Sequence, residues 1–250
     1  MRGLLVLAAL LLVTGRTAEG QELVTDVSRS LVELRYDFAG TDLLLFGAIG
    51  GEDRPGEQLD VVITLTGPKQ TILVRRKARI AGIWVNADSA RVADAPGFYA
   101  LAATRRLDLI ADERYLQEAG LGLARLPLRV LDVSDAAERA AFRAGLTRNM
   151  AAADLYQQRE GAVRLLERRL FRADIRLPSN VPAGVFLADI RLFVDGRMAA
   201  ERTLDIHVDK TGFERTVYLL ATRAPLLYGV SAVFIALFSG WIAGMIATRR

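Results

Sequence analysis

Asp205, His207 and Asp209 are the residues whose types and spacing come closest to a metal site. They alternate along a predicted strand, so their side chains project from one face of it, about 6 to 7 Å apart. A metal centre needs three or four converging ligands, and the sequence identifies no partner for them. We therefore interpret the three as the solvent-facing side of a strand that buries Leu204 and Ile206.

A second acidic cluster surrounds the Pro55-Gly56 turn and raises the question of calcium binding through oxygen ligands. Its members are Glu52, Asp53, Glu57 and Asp60. Their spacing does not match the calcium loop of an EF-hand. We interpret the cluster as an acidic, solvated loop.

The remaining composition argues against catalysis. The chain has no cysteine and one histidine, which excludes disulfides, thiolate metal sites and cysteine nucleophiles. The serine-hydrolase elbow and the glycine-rich phosphate loops are also absent. We predict that the protein is not an enzyme and has no catalytic, cofactor-binding or metal-ligating residue, with a carboxylate-based hydrolase tethered to the membrane as the least favoured alternative.

One spacing predicts a binding surface. Ala232, Ala236, Gly240 and Gly244 recur every four residues and form a stripe of small side chains on one helix face. Such a stripe lets a second membrane helix approach closely, and Gly240 and Gly244 form a GxxxG pair. We predict that this face packs against another membrane protein or against a second copy of the chain.

Both ends of the chain indicate export and membrane insertion. Residues 1–20 have a cationic start, an apolar run of ten residues and a small-residue end, as in a secretory signal peptide. Residues 226–247 carry no charge and would rise about 33 Å as a helix, enough to cross a bilayer. The Thr248-Arg249-Arg250 tail then belongs on the cytoplasmic side. These features predict a single-pass protein of a bacterial inner membrane with its bulk in the periplasm.

Several of the cations lie in the terminal segments, so the net charge of +4 does not describe a basic domain. The sequence has no long cationic cluster interleaved with aromatic residues. Nucleic acid is therefore not an expected partner.

Residues 21–210 begin and end with strand patterns. Val61, Ile63 and Leu65 alternate with residues that we expect to face water, whereas the uninterrupted apolar run 43–48 predicts a central strand buried on both faces. Asp195-Gly196 predicts a hairpin. We predict a mainly β fold, an immunoglobulin-like β-sandwich with a helical insertion at about 108–160, and keep two β-rich lobes divided near residues 95–97 as the alternative.

Within the insertion, Ser134 is the expected N-cap of a helix that breaks at Gly145, and Thr147 caps a second helix. A shorter helix is expected at 112–119, and residues 165–169 fit either helix or strand. Thr211 to Glu214 has the form of a capping box, which predicts a juxtamembrane helix over 211–225.

Several stretches together carry a family resemblance. They are Leu44-Leu45-Phe46-Gly47-Ala48, Gly82-Ile83-Trp84-Val85-Asn86, Leu170-Phe171-Arg172-Ala173, Leu177-Pro178, Val181-Pro182-Ala183-Gly184, Leu227-Tyr228-Gly229 and Gly240-Trp241. With them the chain resembles a family of alphaproteobacterial transmembrane proteins with a signal peptide and one C-terminal span. The resemblance implies no active residues, and it suggests permeases of the sulfite-exporter type as associated proteins.

The leading functional hypothesis is a non-catalytic accessory protein of the inner membrane that partners a multi-span protein such as a transporter. The alternative is a periplasmic ligand-binding or sensing module that uses loops such as 50–56 or 87–97.

Overall fold

The computed structural model describes residues 23–34, 39–51, 56–80, 82–167, 169–210, 221–223 and 225–247. The side chains of residues 34, 80, 210, 227, 242, 243 and 245–247 also lie outside this description. The predicted signal peptide, the capping box at 211–214 and the tail at 248–250 fall outside the described residues.

The described chain is mainly β, as predicted. Its strands are β1 (Leu23–Val27), β2 (Leu31–Leu34), β3 (Thr41–Ile49), β4 (Leu59–Thr66), β5 (Lys69–Ile80), β6 (Ile83–Pro96), β7 (Tyr99–Ala103), β8 (Arg129–Val130), β9 (Tyr156–Glu160), β10 (Arg164–Leu166), β11 (Leu170–Leu177), β12 (Gly184–Val194) and β13 (Arg197–Lys210). The helices are α1 (Glu113–Glu118), α2 (Ala136–Ala152) and α3 (Pro225–Ala247), with short 3₁₀ turns at Leu107–Leu109 and Leu123–Arg125.

The strands form three sheets. A four-stranded sheet has the order β1-β3-β11-β10, a six-stranded sheet has the order β2-β13-β12-β4-β7-β9, and a smaller sheet has the order β5-β6-β8. The first two sheets share one apolar core, to which β3, β11, β4 and β12 contribute alternate residues. At its centre lie the fully buried rings of Phe171 and Phe186. The finer immunoglobulin-like assignment stays a prediction.

At β4 and β7 the six-stranded sheet is buried on its second face as well. Val62 of β4 and Leu101 of β7 point into a second apolar cluster with Leu116 of α1 and Phe142 and Leu146 of α2. The expectation that one face of β4 meets water was therefore wrong. The helical insertion and the β5-β6 hairpin return over that face, which raises the number of layers from two to three.

β3 was predicted to be buried on both faces, and this prediction was also wrong. Leu43 and Leu45 are buried, but Leu44 is only half-buried and Phe46 is 41% exposed. β3 is thus central in its sheet but buried on one face, because nothing in the described chain covers the outer face of the four-stranded sheet.

The insertion contains one long helix and not two. Asp135 caps α2 by accepting a hydrogen bond from the Glu138 amide, and the helix continues through Gly145 to Ala152. Packing of Phe142 and Leu146 on the second core maintains the helix across the glycine. The shorter helix is confirmed as α1, which Asp112 caps. Residues 165–169, which fitted either helix or strand, contain the end of strand β10.

The hairpin at Asp195-Gly196 is confirmed. Both residues have positive φ, 49° and 81°, and β12 and β13 pair antiparallel on either side. In the same sheet, β12 also pairs with β4, which in turn pairs with β7. Strands from both sides of residues 95–97 are therefore neighbours in one sheet.

Two buried tyrosines in the second core predict a loss of stability at high pH. Tyr99 accepts a hydrogen bond from the Gly122 amide, and burial raises the pKa of its hydroxyl to about 12. Burial likewise raises the pKa of Tyr156. Because the folded state holds these protons more tightly, their contribution is complete below the unfolded pKa near 10 and falls as the pH rises toward 12.

For Tyr99 this contribution is about 2–3 kcal/mol. Urea unfolding followed by far-UV circular dichroism from pH 8 to 12 should show the decline. Tyr99→Phe should flatten part of the slope above pH 10, and an unchanged slope would contradict the assignment.

Candidate interaction surfaces

Asp205, His207 and Asp209 lie on β13, on the strand face opposite Ile206, as the strand-face interpretation requires. Asp205 and His207 are exposed, whereas the neighbouring Ile206 is buried in the first core. Across the sheet His207 is paired with Val185 on β12 and with Leu31 on β2, both apolar. Among the described residues, no three acidic or histidine side chains gather into a group that could hold a metal ion.

Asp60 corrects the interpretation of the acidic loop. Asp60 does not belong to a solvated loop. It lies in β4, where 2% of its side chain is exposed. Its carboxylate accepts hydrogen bonds from Arg105 Nη2 at 2.6 Å and from Thr104 Oγ1 at 2.7 Å. Glu52 and Asp53 lie outside the described residues. We interpret the Asp60–Arg105 contact as a structural ion pair, because burial of an unpaired carboxylate would be costly.

The outer face of the four-stranded sheet carries an exposed apolar row. Strand register places Val24, Ala48, Leu170 and Leu166 side by side across β1, β3, β11 and β10. The three large side chains of this row are 48% to 58% exposed. With Phe46 and Leu44 they line an apolar groove of about 520 Å³. We call this surface the apolar sheet face.

Charged side chains on the same face are separated by sign. Asp26 lies on β1 and Asp42 on β3, whereas Arg172 and Arg176 lie on β11 and Arg164 on β10. The Arg176–Asp42 contact within the sheet is long, at 3.4 Å. One half of the apolar sheet face is therefore acidic and the other mainly basic, with Asp174 on β11 as the exception.

The β5-β6 hairpin extends beyond the second core as a two-stranded ribbon. Near its tip Ile83 and Trp84 are largely exposed, and Trp84 is paired with Arg79. The ribbon is held at its base by Arg76, which pairs with Asp88 and Glu138 and lies 5.4 Å from the Phe142 ring centre. The predicted ligand loop at 87–97 is in fact mostly the second strand of this ribbon.

Helix α3 presents the predicted small-residue face. Ala232, Ala236, Gly240 and Gly244 are all exposed, and a Cβ added at either glycine would meet no atom within 4 Å outside the helix's own turns. The large apolar side chains between them, including Phe234 and Phe238, are exposed as well. Counted over the residues whose side chains are described, no helix is long and apolar enough to cross a membrane.

Comparison with known families identifies the group to which this fold belongs. The family model described as "Putative transmembrane protein (Alph_Pro_TM)" matches residues 22–249. The chain belongs to this family. Neither the curated proteins nor the solved structures contain a significant match to the chain.

The family match includes both the β-rich region and α3. Sequence reasoning had predicted the helix face but missed the apolar sheet face. The signal was present in Leu44, Phe46 and Ala48, which are apolar at every outward position of that stretch. They were attributed to burial because nothing in the sequence indicates which sheet is covered.

Proposed function

We propose that the protein is a membrane-anchored, non-catalytic accessory protein of the bacterial inner membrane. Residues 21–210 lie in the periplasm, residues 226–247 span the bilayer and the C-terminus is cytoplasmic. The carrying observation is the charge-free run 225–247, which forms the 23-residue helix α3 and whose described side chains are all exposed. Lipid is the environment that suits such a helix. Membership in a family of transmembrane proteins supports the same conclusion.

The helix face formed by Ala232, Ala236, Gly240 and Gly244 packs against a multi-span membrane protein such as a transporter. In lipid, helices associate through close packing and not through the hydrophobic effect, so small residues favour contact. The open space at Gly240 supports this role, because a Cβ added there would meet no atom within 4 Å outside the helix's own turns.

A second candidate function is a periplasmic ligand-binding module. The groove on the apolar sheet face favours it, because an apolar concavity is the usual form of a small-molecule site. The described lining has few polar groups to orient a ligand, which makes this the weaker candidate.

The anchoring is tested by fractionation of cells that produce the full-length protein. The protein should stay in the membrane pellet after extraction at pH 11, and protease added to spheroplasts should digest the β-rich region. A variant with Ile235→Arg and Leu237→Arg, which places two charges at mid-helix, should move to the soluble fraction. Complete release of the unaltered protein, or protection of the β-rich region, would contradict the proposal.

A further inference from the structure

We propose that the apolar sheet face binds the same face of a second copy, so that two four-stranded sheets stack in a twofold-symmetric homodimer. This inference adds a partner to the proposed function, but the sheet contact itself does not depend on α3. Exposed apolar patches with charged surroundings mark interaction sites on soluble domains. The distribution of charge on the apolar sheet face favours a second copy of the chain as its occupant.

The register of the four strands makes the face complementary to itself. A twofold axis parallel to the strands, between β3 and β11, exchanges β1 with β10 and β3 with β11 between the two copies. Each row of residues then lies over the same row of the second copy. The strand directions stay aligned, as in the commonest packing of two sheets.

In this arrangement the acidic half of each face lies over the basic half of the other. Asp26 is in the same row as Arg164, and Asp42 is in the same row as Arg176. The axis therefore places Asp26 over Arg164 of the second copy and Asp42 over Arg176 of the second copy. Rim charges of opposite sign orient an interface of this kind and disfavour other registers.

The apolar row packs on itself by the same operation. Val24 lies over Leu166 of the second copy, and Ala48 lies over Leu170 of the second copy. Phe46 faces Arg172 of the second copy, an arrangement suited to a cation–π contact. Leu44 over Asp174 is the one unfavourable match. Three large side chains that are about half exposed in the monomer would become buried.

The size of the face predicts a weak dimer in solution. The four strands have five, nine, eight and three residues and cover about 400 Å² of each copy, below the usual size of a specific interface. Attachment to one membrane would raise the effective concentration of the two copies. Because the symmetry axis runs along the strands, both chains also leave β13 at the same end of the dimer.

The chain has no cysteine, so single cysteines can report the contact. Full-length protein carrying Asp26→Cys is mixed in detergent with full-length protein carrying Arg164→Cys and treated with a short bismaleimide. The mixture should give a cross-linked dimer on a denaturing gel. Each variant alone should not, because two copies of the same position lie about 17 Å apart across the axis. No dimer in the mixture, or equal dimer in the single variants, would overturn the inference.

Charge reversal tests the register independently. Asp26→Arg should weaken dimerisation at least about tenfold, and Asp26→Arg combined with Arg164→Asp should restore it. Both tests are repeated with Gly240→Leu and Gly244→Leu in the same chain. Cross-linking that persists in chains with the two glycine substitutions would show that the sheet contact does not depend on the helix face. Failure of the helix hypothesis and failure of this inference therefore give different results.

Discussion

Arg105→Ala is expected to lower the free energy of unfolding by about 3 kcal/mol. Asp60, with 2% of its side chain exposed, would lose the hydrogen bonds from Arg105 Nε and Nη2, and only the one from the Thr104 hydroxyl would remain. Asp60→Ala should cost less, since Arg105 is 35% exposed and can turn toward water. Urea unfolding of the detergent-solubilised protein, followed by far-UV circular dichroism, measures both.

The adjacent Arg106 provides a matched control. It pairs with Asp108, but their side chains are 69% and 52% exposed, so solvent screens the contact. Arg106→Ala should leave the urea midpoint of unfolding essentially unchanged. Equal effects at positions 105 and 106 would show that the buried pair does not stabilise the fold.

Gly47→Ala is the second substitution with a large expected effect, also about 3 kcal/mol of destabilisation. A Cβ at this position would meet the backbone oxygen of Val24 and would come within 2.5 Å of the Phe171 ring. Since Gly47 is paired with residues of both β1 and β11, the sheet cannot move away on either side.

Gly145→Ala is the corresponding control in α2. A Cβ there would meet nothing within 4 Å, and alanine favours the helix by about 0.5–1 kcal/mol. The two glycine substitutions should therefore change the urea midpoint in opposite directions. A shift of the same sign for both would contradict the packing described around Phe171.

Local signals in the sequence predicted local structure well. The Asp195-Gly196 turn needs positive φ at two successive residues, a requirement that those residue types meet, and the hairpin is present. Asp112 caps α1 for a different local reason, because its side chain accepts a hydrogen bond from the Tyr115 amide. Gly145 misled the interpretation of α2, because a glycine weakens an isolated helix but does not end one that is packed on a core.

Burial could not be predicted from the alternation of apolar residues alone. β3 carries the more continuous apolar run and leaves Phe46 exposed, whereas β4 carries threonines and is buried on both faces. The difference depends on where residues 104–153 return to the sheet. Asp60 shows the same limit, since its partner Arg105 lies 45 residues away along the chain. The apolar sheet face was missed for this reason.

The most direct test of the accessory role is a pull-down of the full-length protein from membranes in gentle detergent, with partners identified by mass spectrometry. Three versions are compared: the unaltered chain, the Gly240→Leu/Gly244→Leu variant, and Ser231→Leu. The last adds one leucine on the other side of α3, because helical geometry places residue 231 far from the small-residue face.

We predict that a multi-span membrane protein is recovered with the unaltered chain and with Ser231→Leu, and at least about tenfold less with the glycine variant. Equal recovery with all three versions, or recovery of no protein besides the chain itself, would contradict the account.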